Sequence, residues 1–261
     1  MQNINLIFLV QPVSIILLSV GLIVYWRLKR RFKSIVFFYT LIAYAVAIVL
    51  KDVLQFFTAS AVTSAFGFQS VVTGLYYGLQ TSFFEIGLAY LVALYFVKIK
   101  RLDAGDAEAY GLGLSFWENA ILLGILPLIN IVTYYGILST NTQLASTLFN
   151  QLTVAQPALF YSTLQALPLV GFGILERISS LLLHFSWGYL VVFSAFYRKK
   201  KYFLIALPMG LVDALVVYSQ ALTLPVFEGI VFGISLIAIL VALLSTRNER
   251  KQDKPDAVPV A

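Results

Sequence analysis

The sequence predicts an all-α polytopic membrane protein, a helical bundle of about seven transmembrane spans. Three observations carry that expectation. Of the 261 residues, 60% are hydrophobic and only 11% charged, where a soluble domain carries about 25% charged residues. Seven apolar runs are each long enough to cross a bilayer, for which about 20 residues suffice. Sixteen of the 18 Lys and Arg fall into four short clusters that flank those runs.

Taken in order, the first run (5–26) follows MQNIN, which lacks the basic n-region of a signal peptide, and leads into RLKRRFK. It reads as a retained transmembrane helix. Further spans are expected at 34–57, 71–97, 109–135, 177–197, 202–222 and 226–245. Another apolar stretch, PALFYSTLQALPLVGFGIL (157–175), is interrupted by Pro168, Gly171 and Gly173. If it inserted, there would be eight spans. Residues 1–246 then form one membrane domain, and 247–261 a polar cytoplasmic tail, proline-containing and expected to be disordered.

The charges set the expected orientation. The four basic clusters are Arg27–Lys33, Lys98–Arg101, Arg198–Lys201 and Arg247–Lys254, whereas 58–70 and 137–156 contain no charged residue. The positive-inside rule places all four clusters in the cytoplasm, hence an external N terminus, a cytoplasmic C terminus and an expected location in the plasma membrane. An eighth span would put RKKK outside. The segment 137–175 is therefore expected to be an external loop with an interfacial or re-entrant piece. A net charge of +6 that sits in juxtamembrane clusters argues for the lipid bilayer as partner and against nucleic acid.

The same clusters measure depth, at about 1.5 Å per helical residue. Glu85 lies roughly 20 Å from the inner face, Glu118 about 15 Å, His184 about 21 Å and Asp213 about 18 Å. Four ionisable residues on four helices thus fall near the midplane. Lys51–Asp52 and Glu176–Arg177 come out close to the outer face and read as structural pairs. Ionisable groups inside a membrane are costly and face a bundle interior, so Glu85, Glu118, His184 and Asp213 are expected to converge, with Asn119 in support. Gly74 and Gly78, with Gly111 and Gly113, would allow close helix approach around them.

Three carboxylates and one imidazole suit a hard or borderline metal ion. Zinc takes exactly such nitrogen and oxygen donors and lowers the pKa of a bound water towards about 7. The chain has no cysteine, which excludes thiolate ligands, disulfides and a cysteine nucleophile. The depth argument alone leaves hydrolysis, transport and sensing open.

The motifs add a resemblance. AYGLGLSFWENAILLG (109–124) resembles the second motif of PrsW-type membrane peptidases, a glycine-rich helix start followed by a Glu-Asn pair. GLQTSFFEIGLAYLVALYFVKIKR and GILERISSLLLHFSWGYLVVFSAF resemble, in order and spacing, the first and third blocks of the YhfC family of intramembrane metalloproteases, relatives of the CAAX-processing and bacteriocin-processing enzymes. The resemblance spans roughly residues 74 to 220 and implies a CAAX-protease-like helical core. It assigns Glu85 to the first block, Glu118 to the second, His184 to the third and Asp213 to a late acidic position. It departs at Ile86, Ala89 and Met209, where the family pattern has a second Glu, a basic residue and a His.

The expected function is therefore hydrolysis of a peptide bond in or near the membrane by metal- or glutamate-activated water. Glu85 would be the base, Glu118 and His184 would hold the ion, Asp213 would complete its shell, and a membrane protein or peptide would be the substrate. A catalytically decayed relative that binds a membrane partner through the same groove is the alternative. A small transporter is a third, disfavoured by the lack of an internal repeat.

Overall fold

The computed structural model describes residues 3–30, 32–140 and 142–252, and every regular element among them is helical. Seven helices are long and apolar enough to cross a membrane: α1 (Leu6–Arg30), α2 (Val36–Phe66), α3 (Val71–Lys98), α4 (Ala104–Leu138), α6 (Thr163–Tyr197), α7 (Lys200–Tyr218) and α8 (Leu224–Ser245). Two shorter helices are α5 (Gln143–Ala155) and α9 (Arg247–Gln252). Large apolar side chains such as Phe56, Phe57 and Leu164 are exposed on the outside, as a bundle embedded in lipid requires.

Two helices run further than their composition suggests, and the difference matters for the site. Nothing breaks α2 until Gly67, whose φ of +81° ends it, a left-handed stop that glycine adopts readily. Thr58 and Thr63 remain in the helix, donating their hydroxyls back to the carbonyls of Leu54 and Ala59. Lys51 thus sits 15 residues after Val36, about 22 Å along the axis, at mid-helix and not at an outer edge.

The second difference lies in 157–175, which is neither an eighth span nor a re-entrant loop. Ser162 and Gln165 form a reciprocal capping box that starts α6 at Thr163. The 35-residue helix then continues through Pro168, Gly171 and Gly173 to Tyr197. Membrane helices tolerate such residues. Arg177 is consequently mid-helix as well. The preceding α5 packs with Ile4, Ile131, Leu138 and Leu159 in a small apolar cluster of its own.

The main core surrounds α6. From Leu183 to Ala195 every residue is buried, so this half of the helix is enclosed on all sides by α3, α4, α7 and α8. The crossing with α4 is made by Gly111 and Gly188: a Cβ on Gly111 would stand 2.5 Å from the Phe185 carbonyl oxygen, and one on Gly188 2.7 Å from Gly111 Cα. At the α3–α7 crossing a Cβ on Gly74 would meet the Ala214 carbonyl oxygen at 2.7 Å. Both glycine sets allow the close approach expected of them.

At the end of the bundle carrying the basic clusters, residues 247–252 are helical, unlike the disordered tail expected from residue 247. Glu249 is buried and accepts from Lys199 Nζ at 2.8 Å. Arg250 reaches Glu108 at 3.2 Å and the Tyr189 hydroxyl. Residues 253–261 of that expected tail lie outside the described residues.

Candidate metal and peptidase site

The carboxylates of the site stand where the helices leave α geometry. Thr81–Ile86 in α3 and Trp117–Ile125 in α4 are π-helical and carry Glu85 and Glu118. In α4 the cause is visible in the sequence: Pro127 has no N–H for the Leu123 carbonyl, and one residue earlier Leu126 N–H bonds Ile121, five residues back. In α3, Gly87 N–H likewise reaches Ser82, five residues back, while Ser82 Oγ donates across the interface to the Leu207 carbonyl at 2.8 Å. Single π turns of this kind re-aim side chains and recur at functional sites.

Leu207–Tyr218 of α7 is a 3₁₀ helix, far longer than the usual three or four residues. Its rise of about 2.0 Å per residue lets a 19-residue helix cross roughly 34 Å. It also carries Asp213 to about 22 Å from Lys201, where α geometry would give about 18 Å.

Glu85, Glu118 and His184 converge as expected, each offering one ligand atom, with all three atoms within 4.8 Å of one another. His184 Nε2 contacts Glu118 Oε2 directly and lies 3.3 Å from Glu85 Oε2. Its Nδ1 lies 2.9 Å from the Ser180 carbonyl oxygen, which accepts from a protonated Nδ1 and so holds the ring with Nε2 facing the two carboxylates. Ser180 Oγ donates to Glu118 Oε1 at 3.1 Å, and Asn119 Nδ2 donates to Ser180 Oγ at 3.2 Å. Asn119, fully buried, therefore supports the site through Ser180.

Asp213 enters the same cavity but not the three-atom group. Its carboxylate accepts from Thr81 Oγ1 and lies 3.2 Å from Lys51 Nζ. Lys51, read from sequence as part of a peripheral pair, is central: its ammonium donates to Glu85 Oε1 at 2.6 Å and Thr81 Oγ1 at 2.7 Å. Arg177, read the same way, stands 3.7 Å from Glu118 Oε1 and also pairs with Glu176. Ile86, Ala89 and Met209 are buried in the apolar core. Tyr44 and Glu228, which the motifs do not mark, line the cavity too, a space of about 500 Å³.

The donor set fits a divalent ion. Two carboxylates and an imidazole, with the imidazole oriented through its other nitrogen, are oxygen and nitrogen donors that a divalent metal accepts.

Residues 14–241 match the family model described as YhfC intramembrane metalloprotease. No curated protein and no solved structure gives a significant match.

Proposed function

The chain belongs to the YhfC intramembrane metalloprotease family, and on that premise we propose that it hydrolyses a peptide bond of a membrane protein or peptide inside the cavity. The observation that carries the reading is the buried group of Glu85, Glu118 and His184, three ligand atoms within 4.8 Å on three different spans.

Glu118 Oε2 and His184 Nε2 would hold the ion, which we take to be zinc, with Glu85 Oε2 beside it as the proton acceptor. When bound, the ion supplies Lewis acidity and a water acidic enough to be deprotonated near neutral pH. The chain's own residues do the rest. Glu85 would accept the proton of the attacking water, with Lys51 paired to its other oxygen at 2.6 Å. Ser180 and Asn119 fix the orientation of Glu118 and His184.

One specific observation favours a second reading, a metal-free binding protein: His184 with Glu118, Lys51 with Glu85 and Arg177 with Glu118 pair the site's carboxylates with side chains of the protein itself. Elemental analysis of detergent-purified protein separates the two. The peptidase reading expects about one zinc per chain, lost in His184→Ala, and hydrolysis of a membrane peptide lost in Glu118→Gln. Protein that binds no metal, cleaves nothing and melts higher as Glu118→Gln is the binding protein instead.

A further inference from the structure

Glu228 lies near the start of α8, in LTLPVFEGIV, and the site described above makes no use of it. Its side chain is only 4% exposed, and its Oε2 is buried with no hydrogen-bond partner. It nevertheless lines the same cavity as Glu85, Glu118 and His184. The ionisable groups that act on it are Glu176 and Arg177. Arg177 is already committed, paired with Glu176 and 3.7 Å from Glu118. This end of the cavity thus holds two carboxylates and one shared guanidinium.

A carboxylate buried without a cation or full hydrogen bonding is strongly unfavourable. The surroundings show what would relieve it. Leu224, Phe227 and Val231 of α8, with Leu122 and Leu123 of α4, supply apolar lining to the cavity that Glu228 and Glu176 also line. A long aliphatic stem ending in a cation fits such a cavity, its methylenes on the apolar lining and its head on the carboxylates.

We propose that Glu228, with Glu176, forms a subsite that accepts an ammonium or guanidinium group carried by the substrate peptide. The inference deepens the peptidase reading and rests on it for the identity of the ligand as a peptide. Glu228 lies 19 residues before Arg247, about 28 Å along the axis, against roughly 20 Å for Glu85 measured from Lys98. The offset of about 8 Å corresponds to two or three extended residues. The cationic group therefore belongs two or three positions from the bond that is cut.

The test is binding, so that it does not depend on turnover. A labelled apolar peptide bearing one lysine, the same peptide bearing acetyl-lysine (both with blocked amino termini), and the acetyl-lysine peptide with a free amino terminus are titrated in neutral detergent. Binding at fixed salt is followed by fluorescence anisotropy. Wild-type protein should prefer the lysine or the free-amine peptide by about tenfold over the doubly neutral one. Whichever is preferred identifies the source of the cation. Glu228→Gln, checked for a wild-type melting profile, should bring the ratio close to one. Equal binding of all three peptides to the wild type, or binding of none, overturns the subsite without any variant. A preference that survives Glu228→Gln overturns the assignment to Glu228. A Glu228-dependent preference without cleavage would keep the subsite and remove the peptidase reading. Cleavage with no charge preference would do the reverse.

Discussion

Replacing Lys51 by Met tests whether the ammonium at the centre of the cavity holds the site together. Methionine keeps an unbranched stem of similar length and removes only the charge and its donors. Glu85 would lose a partner at 2.6 Å, Thr81 one at 2.7 Å and Asp213 one at 3.2 Å. Glu85 is buried, and removing one member of a buried ion pair costs about 3–5 kcal/mol because the other charge is left uncompensated. Asp213, with its side chain 41% exposed, adds little, since solvent screens it. The lower end, about 3 kcal/mol, is therefore the expected loss. For a chain of this size each kcal/mol moves the melting temperature by roughly 2–4 °C, so metal-free Lys51→Met should melt about 6–12 °C lower in detergent. Lys51→Arg, which keeps the charge, should recover most of that. Adding zinc should narrow the gap, because a divalent cation beside Glu85 takes over part of the neutralisation. A metal-free Lys51→Met protein that melts within 2 °C of the wild type would refute the reasoning and return Lys51 to the peripheral role its neighbour Asp52 suggests.

Three further outcomes follow from the packing, the ends of the bundle and its orientation. In Gly111→Ala the new Cβ, 2.5 Å from a backbone oxygen of α6, must push α4 and α6 apart by several tenths of an ångström; a loss of about 1–3 kcal/mol and a lower zinc content are expected, and wild-type values for both would show that the crossing does not set the site. The hydrogen bond from Lys199 holds the Glu249 carboxyl down at about 2, below its ordinary value of 4.5. The contribution of this pair to docking of α9 is thus fully present above pH of about 4.5 and fades as pH falls towards about 2. Amide exchange over residues 247–252 should rise across that interval in the wild type and lose this dependence in Glu249→Gln; an identical profile in both would disprove the linkage. Finally, a single cysteine at position 150 should be labelled from the outer side only, since the basic clusters lie at the other end; labelling from the cytoplasmic side alone would invert the proposed topology.

Much of the fold was legible because a bilayer imposes a coarse constraint that composition records directly. Seven spans, the basic end of the bundle and the convergence of Glu85, Glu118 and His184 all follow from apolar runs, charge clusters and the cost of a midplane charge. The misplaced span limits share one origin: hydropathy alone does not mark where a helix ends. Polar but small residues such as Thr58 and Thr63 satisfy themselves within a helix, so α2 continues to Phe66. Proline and glycine read as breaks, yet α6 passed through Pro168. Each truncation moved a basic residue from mid-helix to an apparent edge, and so Lys51 and Arg177 were set aside.

Asp213 shows a different kind of limit. Its distance from Lys201 was converted at the α-helical rise, but the segment is 3₁₀ and carries it a few ångströms further. That displacement brings it to the depth of Lys51, about 22 Å from the start of α2, so the two carboxylates share the ammonium: Lys51 lies 2.6 Å from Glu85 and 3.2 Å from Asp213, while Glu85 alone of the two also reaches the imidazole. The ladder shifts behind this are not set by local propensity. The turn holding Glu85 is fixed across an interface, by Ser82 on the Leu207 carbonyl and by Gly210, where any Cβ would strike Ser82. A contact between residues 125 positions apart leaves no periodic trace in either segment. Where such contacts aim the side chains, sequence can place a residue at a depth but cannot say which partner it will face.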